Sequence, residues 1–138
     1  MTNCVTEIKE ADVIFVTGSN TTENHPVMGM YIRQAKRAGK KLIVADPVRI
    51  PLAEIADVYL QINPGTSVVL SNGMIHVIFA EGLEDKEYIE KHTEGAAELR
   101  EFVKEYTPER VAEICGIDVE DLKKAARLYA TNRSYIAY

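Results

Sequence analysis

Three short polar segments contain the side chains best suited to binding a ligand, and each follows an apolar run. Residues 18–26, GSNTTENHP, combine one glycine, which permits close backbone approach, with a row of hydroxyl and amide side chains. Residues 46–49, DPVR, supply a carboxylate that can accept hydrogen bonds from a sugar or base edge, and an arginine suited to phosphate. Residues 63–67, NPGTS, can present backbone amides and the Thr66 hydroxyl.

Each segment also has a purely structural interpretation. The Asn and Thr side chains of the first can bond to their own backbone in a surface loop. Asp46 can start a turn with Pro47, Arg49 can be a solvated surface residue, and Thr66 can cap a helix. The first segment has Gly18 but not the other two glycines of a GxGxxG fingerprint, so an ordinary dinucleotide loop is not indicated.

Apolar, β-branched runs predict the strands that precede these segments. Residues 12–17, 41–46 and 58–62 have the composition of buried parallel strands. Between the first two, a helix is predicted to begin at Pro26 and to end at Gly39. Its packed side is predicted to comprise Val27, Met30, Tyr31, Gln34, Ala35 and Ala38. A strand, a helix and a strand within about 35 residues predict a right-handed βαβ unit.

The remaining sequence predicts helices and one more strand. An apolar helix is predicted over residues 67–83, where Gly73 either lowers helix stability or marks a point of close packing. Residues 84–131 show charged helical patterns, and the Glu/Lys pairs of residues 84–127 predict a solvated face. Thr107, before Pro108, and Asp118 are predicted to cap the last two helices. Residues 134–138, SYIAY, have strand composition, and a strand at the chain end suggests a larger parent protein. The predicted fold is α/β: a Rossmann-like three-layer domain with a small parallel sheet, followed by a helical C-terminal segment. We expect a single domain, with residues 1–83 as the βαβ core and residues 84–138 mainly helical.

This fold predicts where a ligand would bind. The carboxyl ends of parallel strands meet at one edge of the sheet, and open α/β sheets bind their ligands in the crevice beyond that edge. The three polar segments are therefore expected to converge there. Of the histidines, His25 is predicted to buttress the first loop, His76 to be a satisfied core residue and His92 to be exposed.

Composition narrows the functional class. A net charge of −5 argues against nucleic acid or an anionic membrane surface as the main partner. Cys4 and Cys115 lie far apart without further ligands at metal-binding spacing, so no zinc or iron–sulfur site made by this chain alone is expected. Two reduced cysteines are a simpler interpretation than a disulfide between Cys4 and Cys115. The sequence lacks a signal peptide and an apolar run of membrane-spanning length, which makes a cytoplasmic location the default.

The order of motifs resembles the molybdopterin-dependent oxidoreductases, most closely the catalytic subunits of formate dehydrogenases. The motifs are ADVIFVTGSNTTENHPV, KLIVADP, AEIADVYLQINPGTSVVLSNGMIHVI and YIEKHTEGAAELREFV, and they cover nearly the whole chain. In that family the segment is an α/β domain that holds one of two molybdopterin guanine dinucleotides around molybdenum or tungsten. The resemblance implies the same cofactor here.

The resemblance also implies roles for individual residues. The pyrophosphate and ribose would contact Gly18, Ser19, Asn20, Glu23 and Asn24. The guanosine end would contact Asp46 with Pro47, and the third segment would contribute Pro64, Gly65, Thr66 and Ser67. The family usually has Asp or Asn at the position of Ser67, and often an arginine at the position of Val48, where this chain places Arg49 one residue later.

No catalytic or metal-ligating residue is expected in this chain. The family's iron–sulfur cysteines and its metal-ligating Cys or selenocysteine followed by His would lie upstream of Met1. The implied partners are the remainder of the catalytic subunit and electron-transfer subunits, and the chain is not expected to oxidise formate by itself. Two alternatives stay open: a stand-alone nucleotide- or coenzyme-binding module, and a subunit-interaction domain without redox activity.

Overall fold

The apolar runs form one parallel sheet. The computed structural model describes residues 4–137, and in it the strand order is β3-β2-β1-β4 with every neighbouring pair parallel. The strands are β1 (Val13–Thr17), β2 (Lys41–Ala45), β3 (Val58–Leu60) and β4 (Ser134–Ala137). The strand predicted over residues 134–138 is confirmed as far as Ala137, and Tyr138 lies outside the described residues.

Helices connect and cover these strands. They are α1 (Thr21–Asn24), α2 (Pro26–Arg37), α3 (Ser67–Glu81), α4 (Lys86–His92), α5 (Ala96–Phe102), α6 (Pro108–Cys115) and α7 (Val119–Ala130), with 3-10 turns at Val5–Glu10, Ala53–Ile55 and Val103–Glu105. The predicted caps of the last two helices are present: the Thr107 hydroxyl accepts from the Arg110 N–H, and the Asp118 carboxylate accepts from the Glu120 and Asp121 N–H groups. Within residues 4–137, no helix combines the length and the apolar character needed to cross a bilayer.

Strand β1 supplies both halves of the core. Because side chains alternate along a strand, Val13 and Phe15 pack on the face covered by α3, α6 and α7. Ile14 and Val16 pack on the opposite face, which α2 and the first 3-10 turn cover. The result is the predicted three-layer arrangement, with the sheet buried between two helical layers.

The predicted packing side of α2 is wrong. Gly29, Ile32 and Ala35 are its buried residues, whereas Val27 and Met30 are 61% and 46% exposed. The helix is rotated because Gly29 lies against the backbone of α1, where an added Cβ would be 3.1 Å from the Thr21 carbonyl oxygen. A pattern that counts only large apolar residues ignores a glycine contact of this kind.

The C-terminal segment has two characters. Helices α6 and α7 cover one face of the sheet and bury Val111, Cys115, Leu122 and two alanines in the core. Gly73 is the close-packing point between α3 and α6, since an added Cβ would be 2.7 Å from a Val111 methyl. Helices α4 and α5 have no buried residue, whereas α6 and α7 have one buried face and one solvated, charged face, as the charge pattern predicts.

One ion-pair cluster ties three elements together at the amino edge of the sheet. Asp57, just before β3, accepts hydrogen bonds from Lys36 Nζ of α2 at 2.6 Å, from Lys41 Nζ at 3.1 Å and from the Leu42 N–H of β2 at 2.8 Å. Partial burial by itself raises the pKa of Asp57, but the Lys36 bond, the Leu42 N–H and Lys41 outweigh it and lower the pKa to about 2.

Replacing Asp57 with Asn is expected to lower the free energy of unfolding by about 2 kcal/mol at neutral pH. The folded-state pKa lies below the ordinary 3.8, so the carboxylate stabilises the fold above that pH and ceases to do so as pH falls through about 2. In urea denaturation series, the difference between wild type and Asp57→Asn should therefore shrink from about pH 4 to about pH 2.

Asp12→Asn is the matched control, because its pair with Lys40 is more exposed and should contribute little. A difference between wild type and Asp57→Asn that stays constant down to acid pH would show that the ion pairs do not stabilise the fold.

Candidate functional site

The three polar segments share one edge of the sheet. All strands run parallel, so β1, β2 and β3 end at the same side. The chain passes from β1 to β2 and β3 and later returns to place β4 on the other side of β1, which makes the end of β1 the topological switch point. Ligands of open α/β sheets bind in the crevice at such a point. The segment after β1 lies there.

The first segment is shorter and more structured than the sequence suggests. Gly18 has the left-handed φ of 59°, and its N–H donates to the Ala45 carbonyl at the end of β2. Residues 21–24 then form α1, and the Asn20 carbonyl accepts from the Glu23 and Asn24 N–H groups. The predicted open loop is therefore a three-residue turn followed by a helical turn, and α2 begins with Pro26 as predicted.

This turn concentrates polar groups that have no partner. Asn20 Oδ1, Thr21 Oγ1 and Thr22 Oγ1 are buried and make no hydrogen bond, and one other side-chain atom in residues 4–137 shares that condition. The four successive backbone N–H groups of residues 19–22 likewise donate to no acceptor in this part of the chain. Buried polar groups are normally bonded, so such a group of atoms is a candidate ligand-binding site. Adjacent free amides favour an anion.

Asp46 provides the acceptor at the end of β2. Its side chain is largely buried, and Oδ1 accepts from the Val48 N–H at 2.8 Å, so the turn interpretation is correct. The other carboxylate oxygen accepts from no donor within residues 4–137 and is free to bind a ligand. The Tyr59 hydroxyl donates to the Asp46 carbonyl at 3.3 Å; burial first, and then the Asp46 charge, raises the pKa of Tyr59. Arg49 is exposed.

The third segment is held by the turn between α6 and α7. Asn63 makes two hydrogen bonds to the end of α6: its N–H donates to the Cys115 carbonyl at 2.8 Å, and its Nδ2 donates to the Ile114 carbonyl at 3.0 Å. Gly116 is required at this contact, since an added Cβ would be 3.0 Å from Asn63 Nδ2 and the backbone φ is 73°. The buried Cys115 thiol donates to the Thr66 carbonyl, with Sγ 3.8 Å from the oxygen, and burial raises the pKa of that thiol.

The start of α3 is open to a ligand. Thr66 occupies the predicted cap position, but its hydroxyl donates to the Asn63 carbonyl at 2.7 Å and accepts no bond from the helix. The N–H groups of residues 67–69, in the first turn of α3, therefore donate to no acceptor in the described part of the chain. Gly65 has a φ of 84° and no atom within 4 Å of an added Cβ, so its backbone is accessible.

Other predicted residues have different surroundings. Glu23 and Asn24 are exposed on α1, beside the buried turn. His25 is exposed as well, and only its backbone bonds to α1 and α2, so its side chain does not buttress the loop. His76 Nδ1 lies 2.8 Å from the Val103 carbonyl, so its side chain is hydrogen-bonded as predicted, but the residue is half-buried and does not belong to the core.

Thr21 and Thr22 are the polar residues whose importance the sequence left unassigned. Both belong to the polar run after β1, but the family resemblance assigns roles only to their neighbours. Their burial depends on α1, which the sequence did not predict. Taken together, the edge offers anion-binding amides on two segments and a carboxylate acceptor on the segment between them.

Comparison with known proteins matches almost the whole chain to one family. The family model described as Molybdopterin oxidoreductase matches residues 1–134. The alpha subunit of the F420-dependent formate dehydrogenase of Methanocaldococcus jannaschii is 48% identical over 139 residues, covering 100% of this chain and 21% of that protein. The solved structure of acetylene hydratase from Pelobacter acetylenicus superposes with a TM-score of 0.87 at 35% identity, covering 97% of this chain and 20% of that one.

The relatives have more than one named activity. A nitrate reductase of Symbiobacterium thermophilum is 43% identical over 131 residues, which cover 88% of this chain and 17% of that protein. The chain thus spans about a fifth of the length of the curated relatives it matches. The likeness covers the three polar segments, since the matched residues include all of them.

Thr21→Val is expected to raise the stability of the ligand-free chain by about 1 kcal/mol, because it replaces a buried hydroxyl that has no partner with a methyl of the same shape. The midpoint of thermal or urea unfolding measures the change. Ser134→Ala serves as the control: its hydroxyl donates to the Tyr129 carbonyl, so this variant should lose stability. Equal losses in both variants would mean that the Thr21 hydroxyl is bonded within the protein.

Proposed function

Because the chain belongs to the molybdopterin oxidoreductase family, we propose that its carboxyl edge binds the guanosine diphosphate part of a molybdopterin guanine dinucleotide. The observation that carries the proposal is the turn after β1, where three buried side-chain oxygens and four adjacent amides have no partner within residues 4–137. A pyrophosphate supplies acceptors for those amides and for the two threonine hydroxyls, and the ribose hydroxyls of such a cofactor supply a donor for Asn20 Oδ1. The residues present therefore fit this group.

We assign the pyrophosphate and ribose to the segment after β1. Gly18 leaves open space where a side chain would stand, which lets phosphate oxygens approach the free amides of residues 19–22. Asn20 adds a buried side chain, and Ser19 lies beside it, half-buried. Glu23 and Asn24, exposed on α1, are placed to accept from ribose hydroxyls.

We assign the guanine to the segments after β2 and β3. The free oxygen of Asp46 can accept from the N–H groups of a guanine edge while its partner oxygen holds the turn at Val48. Pro47 stiffens this turn, and Arg49, exposed beyond it, is available to a phosphate. Across the edge, Gly65 offers an accessible backbone and Ser67 the first of the free amides at the start of α3. The Thr66 N–H donates to the Asn63 carbonyl, so Thr66 offers its hydroxyl oxygen as an acceptor.

The metal–pterin centre, with molybdenum or tungsten, supplies the redox chemistry when the cofactor is bound. The chain's own residues bind and orient the dinucleotide, and we propose that residues 1–138 do so as one domain, in which α6 and α7 cover one face of the βαβ core and β4 extends its sheet. The remainder of a longer catalytic subunit would carry the iron–sulfur ligands and the metal ligand, and electron-transfer subunits would take the electrons.

We propose formate dehydrogenase as the activity of the parent enzyme. The formate dehydrogenase alpha subunit of Methanocaldococcus jannaschii is more similar to this chain than the nitrate reductase is, at 48% against 43% identity. In that reaction formate loses two electrons and a proton and leaves as carbon dioxide.

Binding of GDP should be favoured over binding of ADP by the isolated chain, with weak, roughly millimolar affinity, because the rest of the pocket lies in other segments. Asp46→Asn is expected to lower GDP affinity about tenfold and ADP affinity little, since it removes a charge-assisted hydrogen bond to guanine but keeps the acceptor for the Val48 N–H. Nuclear magnetic resonance titration of both nucleotides measures this. Equal loss for both nucleotides, or none, would remove Asp46 from the guanine site.

The activity is tested with the full-length catalytic polypeptide isolated from its native cells. Formate is expected to reduce a viologen dye, with carbon dioxide as the product, and nitrate is expected not to oxidise the reduced dye. If nitrate oxidised the reduced dye and formate failed to reduce the oxidised dye, the proposed substrate would be wrong and nitrate would take its place. The cofactor assignment would stand in that case, because the GDP titration tests it separately.

A further inference from the structure

The negative charge of this protein is concentrated in one helical arm. Residues 81–109, here called the acidic arm, contain ten Asp or Glu and four Lys or Arg, a net charge of −6, while the whole chain has −5. The remaining sequence is therefore almost balanced. A surface with a strongly negative electrostatic potential attracts positively charged partners and disfavours negatively charged ones.

The arm also exposes large apolar side chains. Its helices α4 and α5 bury no residue. Tyr88 is 59% exposed, Phe102 56% and Leu99 39%. Packing contributes little to the ordering of helices without a buried face, and exposed large apolar side chains on such helices are available to a partner.

An apolar groove runs between the arm and the body of the domain. It encloses about 350 Å³ and is lined by side chains of α3, α4, α5 and α7, among them Ile78, Phe79, Leu83, Ile89, Leu99 and Tyr129. This volume accommodates one or two large apolar side chains of another polypeptide.

A buried carboxylate at this groove has a donor for only one of its two oxygens. Glu84 lines the groove with a side chain only 4% exposed, and its Oε1 accepts from Arg100 Nη2 at 2.7 Å. The same guanidinium lies over the Phe79 ring, 4.3 Å from its centre. Glu84 Oε2 is buried and has no partner. A buried carboxylate oxygen is normally bonded, so a donor from outside residues 4–137 is indicated.

The groove lies far from the cofactor edge. Helix α3 begins at that edge with Ser67 and runs away from it, and Phe79 is about 18 Å further along the helix. Substitutions at the acidic arm therefore leave the three polar segments unchanged.

We propose that the acidic arm and its groove bind a basic segment of a separate polypeptide, which places an apolar side chain in the groove and an N–H donor on Glu84. A second copy of this chain does not fit, because a symmetric contact would bring two surfaces of charge −6 together. The proposal is independent of the cofactor assignment, since no residue is shared between the two sites.

The test uses the full-length polypeptide in its native cells, with a photo-crosslinking phenylalanine analogue in place of Phe102. Illumination should join it to a different protein, and mass spectrometry should locate the bond in a Lys- and Arg-rich stretch that contains an apolar residue. Glu90→Gln with Glu98→Gln removes two charges from exposed positions in the arm and should lower the yield about threefold or more.

Glu54→Gln with Glu113→Gln is the matched control, with the same change in charge at exposed positions outside the arm, and should leave the yield unchanged. Glu84→Gln should lower the yield like the arm variant. A bond to another part of the same polypeptide, a bond to a second copy, the absence of any bond, or equal yields in the arm and control variants would each overturn the proposal.

Discussion

The fold depends on the burial of strand β1 on both faces and its pairing on both sides. It pairs with β2 on one side and with β4, more than 100 positions away in sequence, on the other, and its alternating side chains enter both helical layers. A strand in this position cannot shift by one residue without exchanging the two halves of the core. The end of β1 is therefore fixed, and so is the turn at Gly18 that follows it.

The fixed end of β1 explains how the domain tolerates polar groups that lack partners. Three buried oxygens and several free amides lie within a few residues of one another, each at a cost to the ligand-free protein. They keep their positions because the strand ends, α1 and Gly29 hold the backbone around them. The binding that we propose for this edge would therefore draw its strength from preorganisation, and the core supplies the stability that preorganisation costs.

Much of this could be predicted from the sequence, and the failures have identifiable causes. Strands, the long helix and the caps at Thr107 and Asp118 follow from local composition and were predicted. The packed side of α2 was not, because Gly29 contributes a contact between backbones that no hydrophobic pattern records. The hydrogen bonds from Asn63 to Ile114 and Cys115 join residues more than 50 positions apart, which local reasoning does not reach. The residues that could bind the cofactor were predicted together, because the order of the motifs resembles the family. The burial of Thr21 could be recognised only once the fold was known.

The attachment of Asn63 to the turn after α6 makes the helical segment part of the ligand edge. If α6 and α7 loosened, the third polar segment would lose two hydrogen bonds and the close contact with Gly116. Any ligand that requires the ordered form of that segment must, by linkage, favour the docked form of those helices. Occupancy at the edge and local unfolding of α6 and α7 are thus two readouts of one equilibrium, and slowed amide exchange along α6 would report a ligand bound at the edge.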